Sequence, residues 1–336
     1  MLQKIKKIGE FDEETKKIVD TYYKAALVTG YVSCNGYMLT DLFPKVEPEI
    51  SQLDVRDEDI WVVSYPKSGT TWTQETVWCI QNDLNFELSK KISLSERFPF
   101  LDVPFMINTK ILSEKDPQAV QRFGVESKLQ KINNLPSPRF IKSHLPLDFL
   151  PLKLQNNSTN AKIICITRNP RDLSISQYHH CQVFEGFQGT QEEFAELFIK
   201  GLVPYGPYWD HIYSYWNQRS KLNIIFIRFE DMKTKLPQTI EKISKFVGKV
   251  LTEEEINQLA AHVTFDNMKN IKTVNKQKFT DMIRNLNNVN QEATFMRSGQ
   301  THQWKTKLNA DLIEKFEKWE QENLKGSDYE LNYDEA

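Results

Sequence analysis

The sequence predicts an α/β fold: a single domain built on one central parallel sheet with helices on both faces. Three observations lead to it. Short continuous apolar runs recur, such as Lys162–Thr167 (KIICIT), the pattern of strands buried on both faces. Stretches of helical spacing alternate with them, as in βαβ units. No internal repeat and no Pro/Gly/Ser-rich linker divides the chain, so residues 1–336 read as one unit.

The first strand is Ile60–Ser64, and it runs into Tyr65–Trp72 (YPKSGTTW) and a helix-like TQETVWCIQND. Arg139–Lys142 is a short strand, and Lys162–Thr167 is a buried one. Asn169 then offers an N-cap with Pro170 at the first helical position, so a helix is expected from Arg171 to about Val183. Asn223–Ile227 is another buried-type strand. A helix over Pro237–Val247 should stop at Gly248, a natural C′ residue. Thr252 and Glu255 form a capping box for the next helix. Leu312, Phe316, Trp319 and Leu324 lie near helical spacing on a helix over 311–324.

Composition narrows the function classes. Of 336 residues, 40% are hydrophobic and 26% charged, which is globular composition. Lys and Arg total 43 against 45 Asp and Glu, a net charge of −2, so a global electrostatic grip on nucleic acid or an anionic membrane is not expected. The N-terminal MLQKIKKIGEFDEETKK lacks the apolar run of a signal peptide, and the charge-free stretch Ala25–Thr40 is too short and polar to span a bilayer. Cys34, Cys79, Cys165 and Cys181 are scattered without zinc or CxxC spacing, which points to the cytoplasm and to no metal.

The chemistry concentrates at two strand ends. A strand, a Gly-containing loop and a helix form a phosphate cradle, where backbone N–H groups and a helix N-terminus face the anion. Lys67, Ser68, Gly69, Thr70 and Thr71 supply a cation, a flexible position and three hydroxyls. This loop is P-loop-like but not Walker A: Lys67 precedes Gly69, and the first glycine is missing. That order and the lack of an acidic Mg²⁺ site argue against a P-loop kinase. Thr167–Asp172 (TRNPRD) repeats the arrangement at the end of a second buried strand, with Ser176 eight residues after Arg168. Two basic strand ends imply a ligand with two separate anionic groups.

Together these segments resemble the cytosolic sulfotransferase family. YPKSGTTW looks like its 5′-phosphosulfate loop, and RNPRDLSISQYHH (Arg168–His180) like its 3′-phosphate motif. Ile141–Pro146 (IKSHLP), Phe229–Met232 (FEDM) and Arg297–Gly299 with Trp304–Lys305 resemble further family segments, in family order. Some members, including the insect retinol dehydratase, have a longer segment before the IKSHLP-like motif, as this chain has. The resemblance implies the sulfotransferase fold, with a core at about 55–325, an N-terminal segment at 1–54 and a lid-like insertion at about 90–135.

It also implies a donor, 3′-phosphoadenosine 5′-phosphosulfate (PAPS), with 3′-phosphoadenosine 5′-phosphate (PAP) as product and no metal. His144 would be the general base, Lys67 would stabilise the leaving phosphate, and Lys142 the transferring sulfuryl oxygens. Lys67 to Thr71 would hold the 5′-phosphosulfate, and Arg168, Ser176, Arg297 and Gly299 the 3′-phosphate. Trp72, Thr264 and Phe265 would lie at the adenine, beside Val263. Phe229 stands for the family's Tyr, Ser298 for the Lys of Arg-Lys-Gly, Val263 for a Thr, and His302–Gln303 for Gly-Asp. Lys305 and Glu314 match the family's dimer segment, but Asn309–Ala310 stand for its Thr-Val, so a homodimer has partial support.

The expected acceptor is a small, mainly apolar molecule with a hydroxyl: a phenol, steroid, retinoid or terpenoid alcohol. Phe98, Phe100, Phe105 and Tyr37 are candidate walls of its pocket, with Tyr31, Phe43 and Trp209 as further ones; ordinary core is the rival reading for each. His179 and His180 read as packing or surface residues, and Arg171 as a solvated helix-start residue. Three outcomes stay open: net sulfonation, elimination through a sulfonated intermediate, and nucleotide binding without turnover.

Overall fold

A strand with apolar side chains on both faces must be covered on both, and the computed structural model shows how. It describes residues 8–123, 128–289 and 294–331; Met1–Lys7, and the parts of the N-terminal segment, insertion and core outside these ranges, lie beyond the described residues. Strands β1 (Ile8–Gly9), β2 (Tyr31–Cys34) and β3 (Tyr37–Thr40) form a small antiparallel sheet. Strands β4 (Ile60–Ser64), β5 (Phe140–Ser143), β6 (Lys162–Thr167) and β7 (Ile224–Arg228) form a parallel sheet in the order β5-β4-β6-β7.

Alternation along the strands assigns the two faces. Trp61, Val63, Ile141, Ile163 and Cys165 enter one core. Ile60, Val62, Ile164, Ile166 and Ile227 enter the other. The register pairs Val63 with Ser143 and Cys165, and Ile166 with Ile227, so all strands end near one edge. The expected β4 and β6 are reproduced, while β5 and β7 start and stop one residue later. Helices occupy Thr70–Gln81, Pro170–Phe184, Leu236–Phe246, Glu253–His262 and Ala310–Leu324. Thr252 and Glu255 make the expected capping box, and Asn169 accepts from the backbone of Arg171 and Asp172. Gly248 follows its helix at φ 84°.

The β2–β3 hairpin is a feature the sequence reading passed over. Its signal was present: Asn35-Gly36, with φ of 51° and 90°, is the dipeptide that tolerates two consecutive left-handed residues between antiparallel strands. Among the described residues, no helix is long and apolar enough to cross a membrane.

Arg171 corrects the expectation of a solvated residue. It is 5% exposed, donates to both carboxylate oxygens of Glu320 at 3.0 and 2.5 Å, and lies 4.5 Å from the Trp304 ring centre. Burial explains why: the C-terminal helix packs over the start of the Pro170 helix and removes water from the guanidinium. Leaving Glu320 buried without its partner costs about 3–5 kcal/mol. Arg171→Ala should therefore lower the unfolding free energy in urea by that amount; a loss under about 1 kcal/mol, the scale of a surface pair, would contradict the buried pairing.

Candidate functional site

Each strand of the parallel sheet delivers a functional segment at its carboxyl end. The residues after β4 form the phosphate-cradle loop. Lys67 there has φ 70°, a left-handed conformation that is strained for a side chain with a Cβ. Gly69, at φ 105°, is the N-cap of the Thr70–Gln81 helix. A Cβ on Gly69 would come 2.7 Å from the Phe229 ring, so glycine is required by both backbone and space. Thr70 is tied into the strand end by a 2.7 Å hydrogen bond between its hydroxyl and that of Ser64.

The end of β6 supplies Arg168, which is 6% exposed. It donates to the carbonyls of Lys67 at 3.0 Å and Gln300 at 3.1 Å, clamping two loops together. Its guanidinium lies 4.3 Å from the centre of the Phe229 ring at the end of β7, and Trp72 meets that ring edge-on at 5.9 Å. Asp172, one turn on, accepts from the backbone N–H groups of His302 at 2.6 Å and Trp304 at 3.0 Å. This holds the 297–303 segment against the site. Gly299 (φ 59°) sits so close to Phe265 that a Cβ would lie 2.4 Å from the ring.

The end of β5 supplies Lys142 and His144. His144 Nδ1 lies 2.8 Å from the Ser64 carbonyl, and a carbonyl only accepts, so Nδ1 carries the proton. Nε2 therefore keeps its lone pair. Burial and the charge of Lys142 hold the imidazole well below its usual pKa, so it is neutral at pH 7. Asp102 was not anticipated. It is fully buried and accepts from Ser143 Oγ at 2.7 Å, His144 N at 2.9 Å and Tyr205 Oη at 2.9 Å. It reaches the histidine from 42 positions away, a proximity that sequence spacing does not reveal. The Pro99–Leu101 stretch just before Asp102 extends the sheet edge, because Lys142 N donates to Pro99 O and Leu101 N to Lys142 O. Phe100 is thereby set 3.9 Å from Lys142 Nζ and 5.2 Å from the His144 ring.

These groups open onto a shared cavity of about 1490 Å³. Lys67, Gly69, Thr70, Thr71, Trp72, Lys142, His144, Arg168, Ser176, Phe229, Phe265, Arg297, Ser298, Gly299 and Phe100 all line it. So do Lys276 and Phe295, which the sequence reading missed; Phe295 lies 4.5 Å from Lys67 Nζ. His179 and His180 line it as well, and His180 stacks on Phe184 at 4.3 Å. Cations crowd one part of this cavity. Burial and the charges of Arg168, Lys276 and Arg297 push Lys67 down to about 8, and burial with the charge of Lys276 lowers Lys142 as well. An anionic ligand relieves both penalties.

Several expected residues lie elsewhere. Ser68 is fully buried behind the loop, with Oγ lacking a protein partner. Thr264 caps the Phe265–Asn270 helix by accepting from Asn267 N, supporting Phe265 from behind. Phe98, Phe105 and Tyr37 are core rather than pocket wall: Phe98 packs 5.6 Å from Phe140, Phe105 5.0 Å from Phe43, and Tyr37 6.0 Å from Phe149. The Pro-rich stretch alternates its aromatics between core and cavity, so only Phe100 faces inward to the site. Phe43 and Trp209 are also core. Glu75, Cys79 and His262 form a metal-like cluster, but Arg97 already neutralises Glu75 at 2.7 Å and His262 bonds it at 3.0 Å.

Gly69→Ala tests the loop. Left-handed strain of roughly 1–3 kcal/mol plus the Phe229 overlap should lower both thermal stability and affinity for adenosine 3′,5′-bisphosphate. Unchanged values for both would show that the loop adapts.

The sequence profile described as the sulfotransferase domain matches residues 57–328. Luciferin sulfotransferase of Photinus pyralis is 35% identical over 308 residues, covering 88% of this chain and 82% of the relative. Amine sulfotransferase of Oryctolagus cuniculus is 32% identical over 307 residues, covering 90% and 92%. A crystal structure of retinol dehydratase with androsterone and PAP superimposes with a TM-score of 0.87 at 29% identity, covering 100% of both chains. The same enzyme with retinol and PAP gives 0.87 and 29%, covering 98% of this chain and 100% of the other. Sequence likeness along most of its length, with the shared architecture beneath it, makes this chain a member of the sulfotransferase family.

Proposed function

We propose that this sulfotransferase moves a sulfuryl group from PAPS to the hydroxyl of a small, mainly apolar alcohol or phenol, with His144 as general base. The observation carrying this reading is the forced tautomer of His144, whose free Nε2 shares one cavity with Lys67, Lys142 and Arg168. The residues fit an adenosine bisphosphate ligand. Arg168 Nε is buried without a partner, and Arg297 and Arg168 line the cavity together. Lys67 and the helix N-terminus at Thr70 form a second anion site. The retinol dehydratase complexes with PAP, retinol and androsterone support both the donor and an apolar hydroxyl-bearing acceptor.

In this reading the chain supplies positions and protons. His144 Nε2 accepts the acceptor's hydroxyl proton as the new O–S bond forms. Lys142 faces the charge on the transferring group. Lys67 stabilises the electron pair left on the phosphate oxygen when the old S–O bond breaks. Asp102 keeps His144 in place through its backbone. The insertion at about 90–135 acts as a lid: Val103, Met106, Ile107, Lys131 and Leu135 contribute to the cavity wall. Elimination is the second reading, favoured by the full-length likeness to retinol dehydratase. Product mass separates the two, a gain of sulfonate against a loss of water. A cytoplasmic site of action is in keeping with four free, buried cysteines.

Two experiments test this. His144→Ala should cut kcat by about 10²-fold or more while PAP affinity stays nearly constant, measured by turnover and calorimetry on the same samples. Unchanged turnover removes His144 from the base role. The second is a pH series. Lys67 loses its proton as pH rises through about 8, while the bound anion favours the charged form. The apparent Kd for PAP should therefore rise above pH 8, by up to about tenfold per pH unit, and Lys67→Arg should flatten that rise. A profile shared by both proteins would place the dependence on another group.

A further inference from the structure

Glu185 is a titratable group that the transfer chemistry does not use. It is the C-cap of the Pro170–Phe184 helix and lines the same cavity as His144. Tyr31 Oη donates to its Oε2 at 2.5 Å. Its Oε1 has no hydrogen bond, and its carboxylate no ion pair, among the described residues. Burial raises its pKa, with Tyr31 alone opposing that shift. The cavity it lines also has Leu27, Met106, Ile107, Val183, Phe184 and Ile283 on its wall, together with Gln182 and Gln277.

The carboxylate is also held firmly. Glu185 N bonds to Cys181 O at 2.9 Å. The next residue, Gly186, packs so closely on Lys24 that a Cβ would lie 2.6 Å from the Lys24 carbonyl. Lys24 N in turn donates to Gly186 O at 3.2 Å. The position along the cavity follows from helix geometry. His180 lies within electrostatic reach of Lys67 and Lys142, at the transfer centre. Glu185 is five residues further on, about 7.5 Å along the helix axis. Tyr205, 5.8 Å from the His144 ring, also feels the Glu185 charge.

One oxygen of this carboxylate is committed to Tyr31 and the other is open to the cavity, so it can accept a hydrogen bond from a ligand there. We propose that Glu185 is a specificity-determining residue: it selects acceptors that carry a hydrogen-bond donor, a hydroxyl or an ammonium, at the end remote from the sulfonated hydroxyl. It disfavours acceptors with a carboxylate there. This rests on the acceptor reading of the cavity given above.

The test uses four phenols with equal para-alkyl chains long enough to span the cavity, ending in methyl, hydroxyl, ammonium or carboxylate. In the unmodified protein kcat/KM should rank hydroxyl and ammonium roughly tenfold or more above methyl, with carboxylate lowest. Glu185→Gln keeps an acceptor for Tyr31 and for a hydroxyl but removes the charge. It should abolish the ammonium advantage and retain the hydroxyl one. Glu185→Leu should abolish both. An unchanged ranking in Glu185→Leu overturns the proposal. Calorimetric titration of the same phenols without donor separates this from the transfer reading. If no phenol is sulfonated but the binding ranking still depends on Glu185, the donor chemistry falls and the carboxylate's role stands. If binding is absent, or independent of Glu185, the proposal falls whatever the turnover.

Discussion

The constraint on which this molecule depends is the burial of its parallel sheet on both faces. Strands that cannot show a polar face to water are covered by two separate cores, one on each side. Polar groups are therefore displaced to the strand ends. Because the strands are parallel, their carboxyl ends collect at one edge, where Lys67, His144, Arg168 and Phe229 follow β4, β5, β6 and β7 in turn. The two basic loops flank the β4–β6 boundary, where the direction of strand addition reverses and a crevice opens.

The site stores unfavourable energy that a ligand can release. Cations are packed together away from water, and Lys67 is held in a left-handed backbone conformation. Hydrogen bonds from Arg168 to two loop carbonyls, and to Asp172 from two C-terminal backbone N–H groups, maintain the arrangement. Asp102 does the same beside His144, linking its own segment to the β5 terminus and Tyr205. Preorganisation of this kind removes reorganisation from the reaction step.

The departures from the family pattern take on physical meaning in this setting. Phe229 lacks a hydroxyl, yet its ring is the platform for Arg168 and the neighbour that requires glycine at position 69. Its contribution is shape and a cation–π contact. Ser298 lines the cavity without adding charge, beside the cations Arg168, Arg297 and Lys67. The same contrast explains the misread aromatics: Phe98 and Phe105 sit on either side of Phe100 in a turning segment, and only the backbone path decides which ring faces the site.

By itself the sequence determined the elements whose causes are local. Continuous apolar runs marked β4 and β6, a cap followed by proline opened the Pro170 helix, and Gly69 marked the turn from β4 into the Thr70 helix. The tertiary structure alone decided what depends on long-range approach. It set the tautomer of His144 through Ser64, 80 positions away, and its support through Asp102. It paired Arg171 with Glu320, 149 positions away, and brought Glu185 to the wall of the cavity that holds His144. Residue type and spacing encode local hydrogen bonds and periodicity; which distant groups share a desolvated space is settled only when the two cores close over the sheet.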